Sequence, residues 1–413
     1  MTAGVVVLAS GSAQAQGTDY EANLNYWSSY GASENQAQVL RDAAQAFSKR
    51  YPKVSISFTF NGRDNSKLLP TAIEAGRDIQ MFDANSAQIV GAFSSFAGSV
   101  EPYIASPYPW TDGKPFVDYA MPALIKLAKD SDVSGGIRFV PMNPQAVMWF
   151  GNKAIFEKAG VAPPATWDEL LAACGKINAA GFTPITTDPP YSQIILGYYL
   201  SRLKGEDFVR DLVNGTGQAK WDDPDVLQAV RAIESLAKNH CYGSDVEGNV
   251  WPAGQQDMVV NGTTAMYLNG TWLPNEVQNS NPSDFRWTAF AFPAIPGALN
   301  DAGYLAYGSY GIGVNKADSK AQTEAAVAFA TFVNSEFDQE MVAVAKAIPV
   351  GPHAEWPSDL ADARKVLANA TGRYQPQTAI SLNSKLTPIL RTAMMKLVSG
   401  QIDAQEFVSE VKQ

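Results

Sequence analysis

Sulfur, imidazole and basic charge are scarce in this chain, and each shortage narrows what it can do. Its 413 residues include two cysteines, Cys174 and Cys241, and two histidines, His240 and His353. No Cys-x-x-Cys spacing is present, which excludes metal clusters and dithiol redox motifs by counting. The cysteines either form one disulfide or stay as two buried thiols; the sequence leaves both open. No basic stripe interrupts the formal charge of −10, so neither nucleic acid nor an anionic surface is an expected partner. A neutral or cationic solute is the easier fit. No later apolar run reaches the roughly 18 residues needed to span a bilayer, and no transmembrane helix is expected. Internal repeats and low-complexity tracts are absent.

Catalytic constellations are missing too. His240 and Cys241 are adjacent, and neighbours in sequence point apart, so they make no dyad. Neither Gly-x-Ser-x-Gly nor His-Glu-x-x-His occurs; Gly308-Ser-Tyr-Gly311 is one residue short of a nucleophile elbow. Asp222 and Asp223 read as helix caps before Pro224, and the Asn-Gly-Thr triplets at Asn214, Asn261 and Asn269 as turns. The chain is not expected to be an enzyme, nor to need a metal or cofactor.

What is there is an ordinary globular composition, 46% apolar and 17% charged, at a length that implies two or three folded units. Residues 1–16 carry a short apolar run (Val5 to Leu8) and the small-x-small pattern Ala13-Gln14-Ala15. They are expected to be part of a secretory signal peptide, followed by an exported, periplasmic protein. Gly11 stands where a lipoprotein signal needs cysteine. Asn23–Trp27, the strictly alternating Val54–Phe60 and Ile79–Asp83 read as strands separated by helical patterns, which means βαβ units and a parallel sheet. Further strands are expected at Ala146–Phe150, 181–187, Met266–Leu268 and Tyr310–Asn315. Helices are expected at Trp167–Ala180, Asp225–Asn239, Ser319–Phe332 and Ser384–Val411, the last broken at Ser399-Gly400.

Several of these segments, taken in order, resemble one family. Pro141 to Gly160, running on to Thr166-Trp-Asp-Glu-Leu170, and Ala265-Met-Tyr-Leu-Asn-Gly-Thr-Trp272 are similar to signature stretches of the solute-binding proteins of carbohydrate ABC importers, the maltose-binding-protein type. Phe47-Ser-Lys-Arg-Tyr-Pro-Lys-Val54, Ser309-Tyr-Gly-Ile-Gly-Val-Asn315 and Ala347-Ile-Pro-Val-Gly351 fit the same series. Ala75-Gly-Arg-Asp-Ile79 departs from it, lacking a Pro and carrying its Asp one place early. The resemblance implies an α/β fold of the type II periplasmic-binding kind. Two lobes, each a mainly parallel sheet flanked by helices, would be discontinuous in sequence. The amino-terminal lobe is expected at 17–145 and 295–335, the carboxy-terminal lobe at 146–294 and 336–413. The Pro-rich segment 292–297 is expected to be a crossover. The implied function is capture of a sugar by hinge closure and delivery to a membrane permease, by a monomer.

Open α/β sheets bind ligands beyond the carboxyl ends of their strands. That rule nominates Trp27, Ser28, Ser29 and Tyr30, then Asn61 and Asp64, then Asp83 and Asn85. From the other lobe it nominates Asn269 and Trp272, with Tyr307, Ser309 and Tyr310 near the return crossing. Alternation points one of Tyr26 and Trp27 into the core, and Trp27, nearer the strand end, is taken as the ligand residue. The resemblance adds Gln145, at a polar crossover position, Trp272, at a sugar-stacking position, and Arg373 before the final helices. Aromatic faces mixed with amides and hydroxyls suit sugars, whose rings pair an apolar C–H face with many hydroxyls. Trp149 and Trp167 are expected in the core; Trp251 either lines the cleft or covers a helix, with cover preferred. A polyamine or other cationic solute remains the alternative ligand, and an exported glycoside hydrolase the alternative class.

Overall fold

The computed structural model describes residues 19–132 and 135–412. The expected leader, 1–16, lies outside them. Nine strands form the framework: β1 (Ala22–Ser28), β2 (Val54–Phe60), β3 (Met81–Asn85), β4 (Phe139–Asn152), β5 (Thr183–Thr186), β6 (Thr264–Gly270), β7 (Trp287–Phe290), β8 (Tyr304–Val314) and β9 (Gly372–Tyr374). Their order is β2-β1-β3-β8-β4-β6-β5, with β7 on β4 and β9 on β8. β1 pairs in parallel with β2 and β3, and β5 with β6, as the βαβ spacing predicts. The helix Asn35–Arg50 buries Ala37, Leu40, Ala43, Ala44 and Phe47, the 3.6-residue stripe expected of it. Thr166 and Ser319 each start a helix with a capping box, so both ends are set by sequence.

Two strands are longer than their sequence suggests. β4 begins at Phe139 rather than Ala146, and β8 at Tyr304 rather than Tyr310. They run antiparallel, Phe139 opposite Gly313 and Val147 opposite Ala306, with a shift in register between Met142 and Pro144. Pro141 and Pro144 withhold backbone donors and hide this stretch from strand patterning. Asn143 takes up the bulge at φ 45°, a left-handed conformation that asparagine tolerates.

This ribbon joins two cores. One gathers side chains from Ala22 to Met142, then Ile312 to Val333. The other runs from Val147 to Ile295, with Ala306, Tyr374 and the terminal helices to Val411; a smaller cluster containing Met148, Phe150 and Leu360 covers the opposite face of β4 and β6. Trp149 and Trp167 are buried, as expected. Phe292 and Ile295 belong to the second core, so 292–297 is no crossover; the return passage lies in β8, about where Tyr307 to Ser309 face Ala146 to Pro144. The helix Asp338–Ala345 likewise departs from the expected division. Met341 and Ala345 pack on Val39, on the amino-terminal side.

The chain between the helix Asp338–Ala345 and Gly351 is tied down by a carboxylate. Asp338, 4% exposed, accepts hydrogen bonds from Val350 N (2.9 Å) and Gly351 N (2.8 Å). Burial pushes its carboxyl up to about 6, against the pull of those two amides. Asp83 is likewise raised to about 6 by burial, opposed by bonds from Ser28 and Ser29. Both carboxyls therefore hold protons in the folded state at pH values where the unfolded chain has lost them. Their contribution makes stability rise as pH falls from above 6 towards about 4. Exposed carboxylates with lowered pKa, such as Asp222 and Glu157, weaken the fold only below that window. We expect the melting temperature to be a few degrees higher at pH 5 than at pH 8 in a calorimetric scan; a steady fall over that range contradicts the assignment.

Candidate functional site

Two cavities flank the β4–β8 ribbon, and Pro144 and Gln145 line both, so the ribbon is the partition. Tyr307 and Tyr310 lie an odd number of steps apart on β8 and face one cavity each. The larger cavity, about 1440 Å³, is lined by Lys126, Tyr307, Trp356, Arg364 and Arg373 among others. The smaller, about 570 Å³, collects residues that follow β1, β2, β5 and β6: Tyr30, Arg63, Tyr191, and Thr271 with Trp272. Only the smaller one lies where strand ends of both lobes converge, and on that geometry it is the candidate site.

Its amino-terminal wall is built on a buried acid. Ser29 N donates to Asp83 Oδ1 (2.8 Å) and Ser29 Oγ to Asp83 O (2.7 Å), while Asn65 Nδ2 reaches Ser29 Oγ at 3.3 Å. Tyr30 N donates to Ser28 Oγ (3.2 Å). These bonds fix the backbone from which Tyr30 projects. The Tyr30 ring stacks on Tyr310, centroids 5.8 Å apart and planes at 24°. The bulged Asn143 donates Nδ2 to Tyr30 OH at 3.1 Å. Burial raises the Tyr30 phenol well above its ordinary range, so it stays a neutral hydrogen-bonding group.

The opposite wall is a second aromatic pair. Trp272 and Tyr191 stack with centroids 6.4 Å apart and planes at 29°, and the indole Nε1 donates to Tyr191 OH (3.3 Å). Tyr191 meets Tyr267 edge-on at 5.8 Å, and Tyr267 OH donates to Asp188 Oδ2 (2.9 Å), which also accepts from Gly254 N. Thr271 bonds the ribbon directly, exchanging hydrogen bonds with Ala146 N and O. Gly270 is required by the indole: a Cβ there would sit 2.2 Å from Trp272 ring atoms. Gly270→Ala should swing the indole out of the wall and weaken ligand binding about tenfold. Titration calorimetry and tryptophan emission check this; unchanged affinity contradicts it.

Amides and charges fill the rest. Asn35, Gln36, Asn143, Gln145, Asn275 and Gln278 line the cavity, with Glu34, Glu276, Arg63 and Lys346 as its charged groups. Two acids face two bases, and the lining carries no net charge. Burial pushes the Glu276 carboxyl up to about 7, with Arg63 opposing the rise and Asp188 adding to it. The residue as a whole stays exposed, so this is partial enclosure rather than full burial.

Of the nominated residues, the structure brings Gln145, Trp272 and Tyr310 to this cavity, together with Tyr30. Arg373 lines the other one, its Nη1 donating to Tyr307 O at 3.2 Å. Ser28 and Ser29 are buried beneath Tyr30 and serve it from below. Trp27 lines neither cavity. It packs half-buried on the amino-terminal core, in register with Thr59 and Phe82, so the aromatic wall on this side is Tyr30 with Tyr310. Asp64 is exposed next to Arg63 and lines neither cavity, and Asn85 spends its side chain accepting from Ala87 N. Asn269, near the end of β6, and Ser309, midway along β8, are buried, with Asn269 Nδ2 and Ser309 Oγ lacking partners. Trp251 is 46% exposed and lines neither cavity. Sequence reasoning passed over Tyr191, Arg63 and Glu276. Tyr191 was reachable by the same strand-end rule, five residues beyond Thr186.

The cysteines are joined, Cys174 to Cys241, across a separation of 67 residues in the carboxy-terminal core. Among the described residues no cluster of His, Cys, Asp and Glu has metal-binding geometry, and no helix is long and apolar enough to cross a membrane.

Comparison with known proteins follows the same lines. Residues 31–340 match the family described as bacterial extracellular solute-binding protein. The diacetylchitobiose binding protein NgcE of Streptomyces coelicolor is 24% identical over 197 residues, 45% of this chain and 40% of that protein. A probable sugar-binding periplasmic protein of Rhizobium meliloti is 27% identical over 169 residues, 38% of each chain. The chain thus spans less than half the length of either relative. Among solved structures, a binding protein MsmE from Bacillus subtilis, in an open conformation, superposes with a TM-score of 0.72 at 18% identity, covering 96% of this chain and 97% of that one. RafE in complex with raffinose gives 0.70 at 16% identity, covering 95% and 98%. These likenesses cover the whole two-lobed architecture. With that fold, a cleft where the strand ends of both lobes meet, and a family match over most of its length, the chain belongs to the bacterial extracellular solute-binding proteins.

Proposed function

We propose that this protein is the receptor of an ABC importer for a sugar or oligosaccharide, exported to the periplasm and handing its cargo to a membrane permease. The carrying observation is the pair of aromatic stacks, Tyr30–Tyr310 and Tyr191–Trp272, that face one cavity from opposite lobes among six amide side chains. A sugar ring needs such a sandwich for its C–H faces and planar amides for its hydroxyls. Relatives and structural neighbours described as binding diacetylchitobiose and raffinose support this reading. Binding to one lobe first, then contact with both, would shift the protein towards a closed form. The protein would capture its ligand without transforming it.

The balanced lining speaks against a polyamine, which would call for an excess of carboxylates beside the aromatics. Calorimetric titration with maltose, raffinose, diacetylchitobiose, xylotriose and spermidine tests the proposal. We expect micromolar or tighter binding of at least one neutral sugar, about −8 kcal/mol. Heat from spermidine alone would transfer the reading to cationic solutes, and release of shortened sugar would make the protein a hydrolase.

A further inference from the structure

Four charged side chains line the candidate cleft, and two of them are already engaged. Lys346 pairs with Asp359 at 3.4 Å, and Glu34 accepts from Gly31 N at 2.9 Å. Arg63 and Glu276 remain. Arg63 occupies the single turn Gly62–Asp64 after β2, on the amino-terminal lobe; Glu276 ends the short helix Leu273–Glu276 after Trp272, on the other. Among the described residues neither belongs to an ion pair. The hydrogen bond that the Arg63 side chain makes is long, 3.5 Å to Ser29 O. Arg63 nevertheless lies close enough to oppose the rise of the Glu276 carboxyl.

We infer that Arg63 and Glu276 form an inter-lobe ion pair when the cleft closes, a latch that holds an uncharged ligand in place. The inference rests on the sugar-receptor reading: a neutral cargo leaves both charges to each other, whereas a charged one would claim one of them. Closure narrows the gap and expels water, and attraction between opposite charges strengthens as distance and dielectric fall. Other charged or titratable groups around Glu276 are accounted for. Asp188 is occupied by Gly254 N and Tyr267 OH, Tyr191 accepts from the indole of Trp272, and Glu34 and Lys346 are engaged as described. Around Arg63 stand the neutral phenols of Tyr30 and Tyr310 and, beneath them, the buried Asp83, whose carboxyl is engaged by Ser29 N and is common to the native protein and Glu276→Gln.

The latch also gives capture a pH dependence with a definite sign. In the structure described, the Glu276 carboxyl titrates at about 7. Pairing with Arg63 favours its ionised form, so closure releases a proton and becomes easier as pH rises through that value.

Charge reversal separates a latch from a merely structural role. Affinity for maltose, raffinose, diacetylchitobiose and xylotriose is measured for the native protein, Arg63→Glu, Glu276→Arg and the double swap. For the sugar that binds, each single reversal should weaken binding about tenfold or more, and the swap should recover it to within about threefold. A swap no better than the weaker single variant overturns the latch. Native affinity should also rise between pH 6 and pH 8 while that of Glu276→Gln stays flat; equal slopes overturn it as well. If no sugar binds the native protein, the receptor reading fails, and the latch is tested without ligand. Spin labels on Leu68→Cys and Asn279→Cys then report the lobe separation. The short-distance population should fall in Arg63→Glu and return in the swap, and identical distributions in every variant would refute the ion pair.

Discussion

Replacing Trp272 by alanine should lower sugar affinity about a hundredfold while leaving the fold intact. One face of an indole amounts to about 100 Å² of apolar surface, and at about 25 cal/mol per Å² its burial against a sugar contributes about 2.5 kcal/mol. Aromatic anchors at the centre of a binding site commonly cost about that much when truncated. The effect is directional as well as hydrophobic, because Tyr191 backs the indole and holds its Nε1. Trp272→Phe should retain most of the binding, since a smaller ring still presents a face to the ligand. Trp272→Leu keeps apolar area without a flat π surface and should fall close to the alanine variant. Calorimetry measures the affinities and circular dichroism checks the fold. Alanine and native proteins binding equally well would remove the indole from the site.

Removing the disulfide should cost the protein about 4 kcal/mol of stability in its carboxy-terminal lobe. The Cys174–Cys241 bond spans 67 residues, and closing a loop of that size in the unfolded chain accounts for an effect of that order. Both residues are fully buried in the same core, which includes the helices Trp167–Ala179 and Pro224–Lys238. The double variant Cys174→Ala, Cys241→Ala should therefore melt well below the native protein. The amino-terminal lobe, whose core contains neither residue, should keep its own transition, so one calorimetric peak should separate into two. A variant with an unchanged melting profile contradicts this. Dependence on an oxidised pair also suits a protein that folds outside the cytoplasm.

How much of this was readable beforehand depends on the physical signal each part carries. Val54–Phe60 alternates cleanly and is the strand predicted, residue for residue. The terminal helices break at Gly400, which adopts a left-handed conformation at φ 79°. The hinge carries no such signal. Pro141, Pro144, Gly308 and Gly311 mask a two-stranded ribbon whose strand character comes from pairing between residues more than 150 positions apart. Lobe boundaries suffered for the same reason, because only tertiary packing reveals that Met341 and Ala345 rest on Val39.

At the site, the strand-end rule was sound in general and imprecise in detail. It led to Trp272, Tyr310 and Tyr30, but register decides which residue of a loop faces the cavity, and register is invisible in one sequence. Alternation alone does not say which of Tyr26 and Trp27 points inward; nearness to the strand end favours Trp27, and Tyr26 is the one buried. Leaving the core, however, did not bring Trp27 to the cavity, whose wall starts three residues later. Ser29 and Asp83 carried polar side chains at strand ends for a reason other than ligand: they hold each other and the turn to Tyr30. Glu276 and Arg63 gave no signal at all, being ordinary charged residues until two lobes face each other.

Small-angle scattering with and without a bound sugar tests the central claim most directly. If two rigid halves swing shut about the β4–β8 ribbon, the radius of gyration falls on saturation, and the swapped Arg63/Glu276 variant contracts like the native protein. A profile that stays the same under saturating sugar, with binding verified in the same sample, contradicts capture by closure.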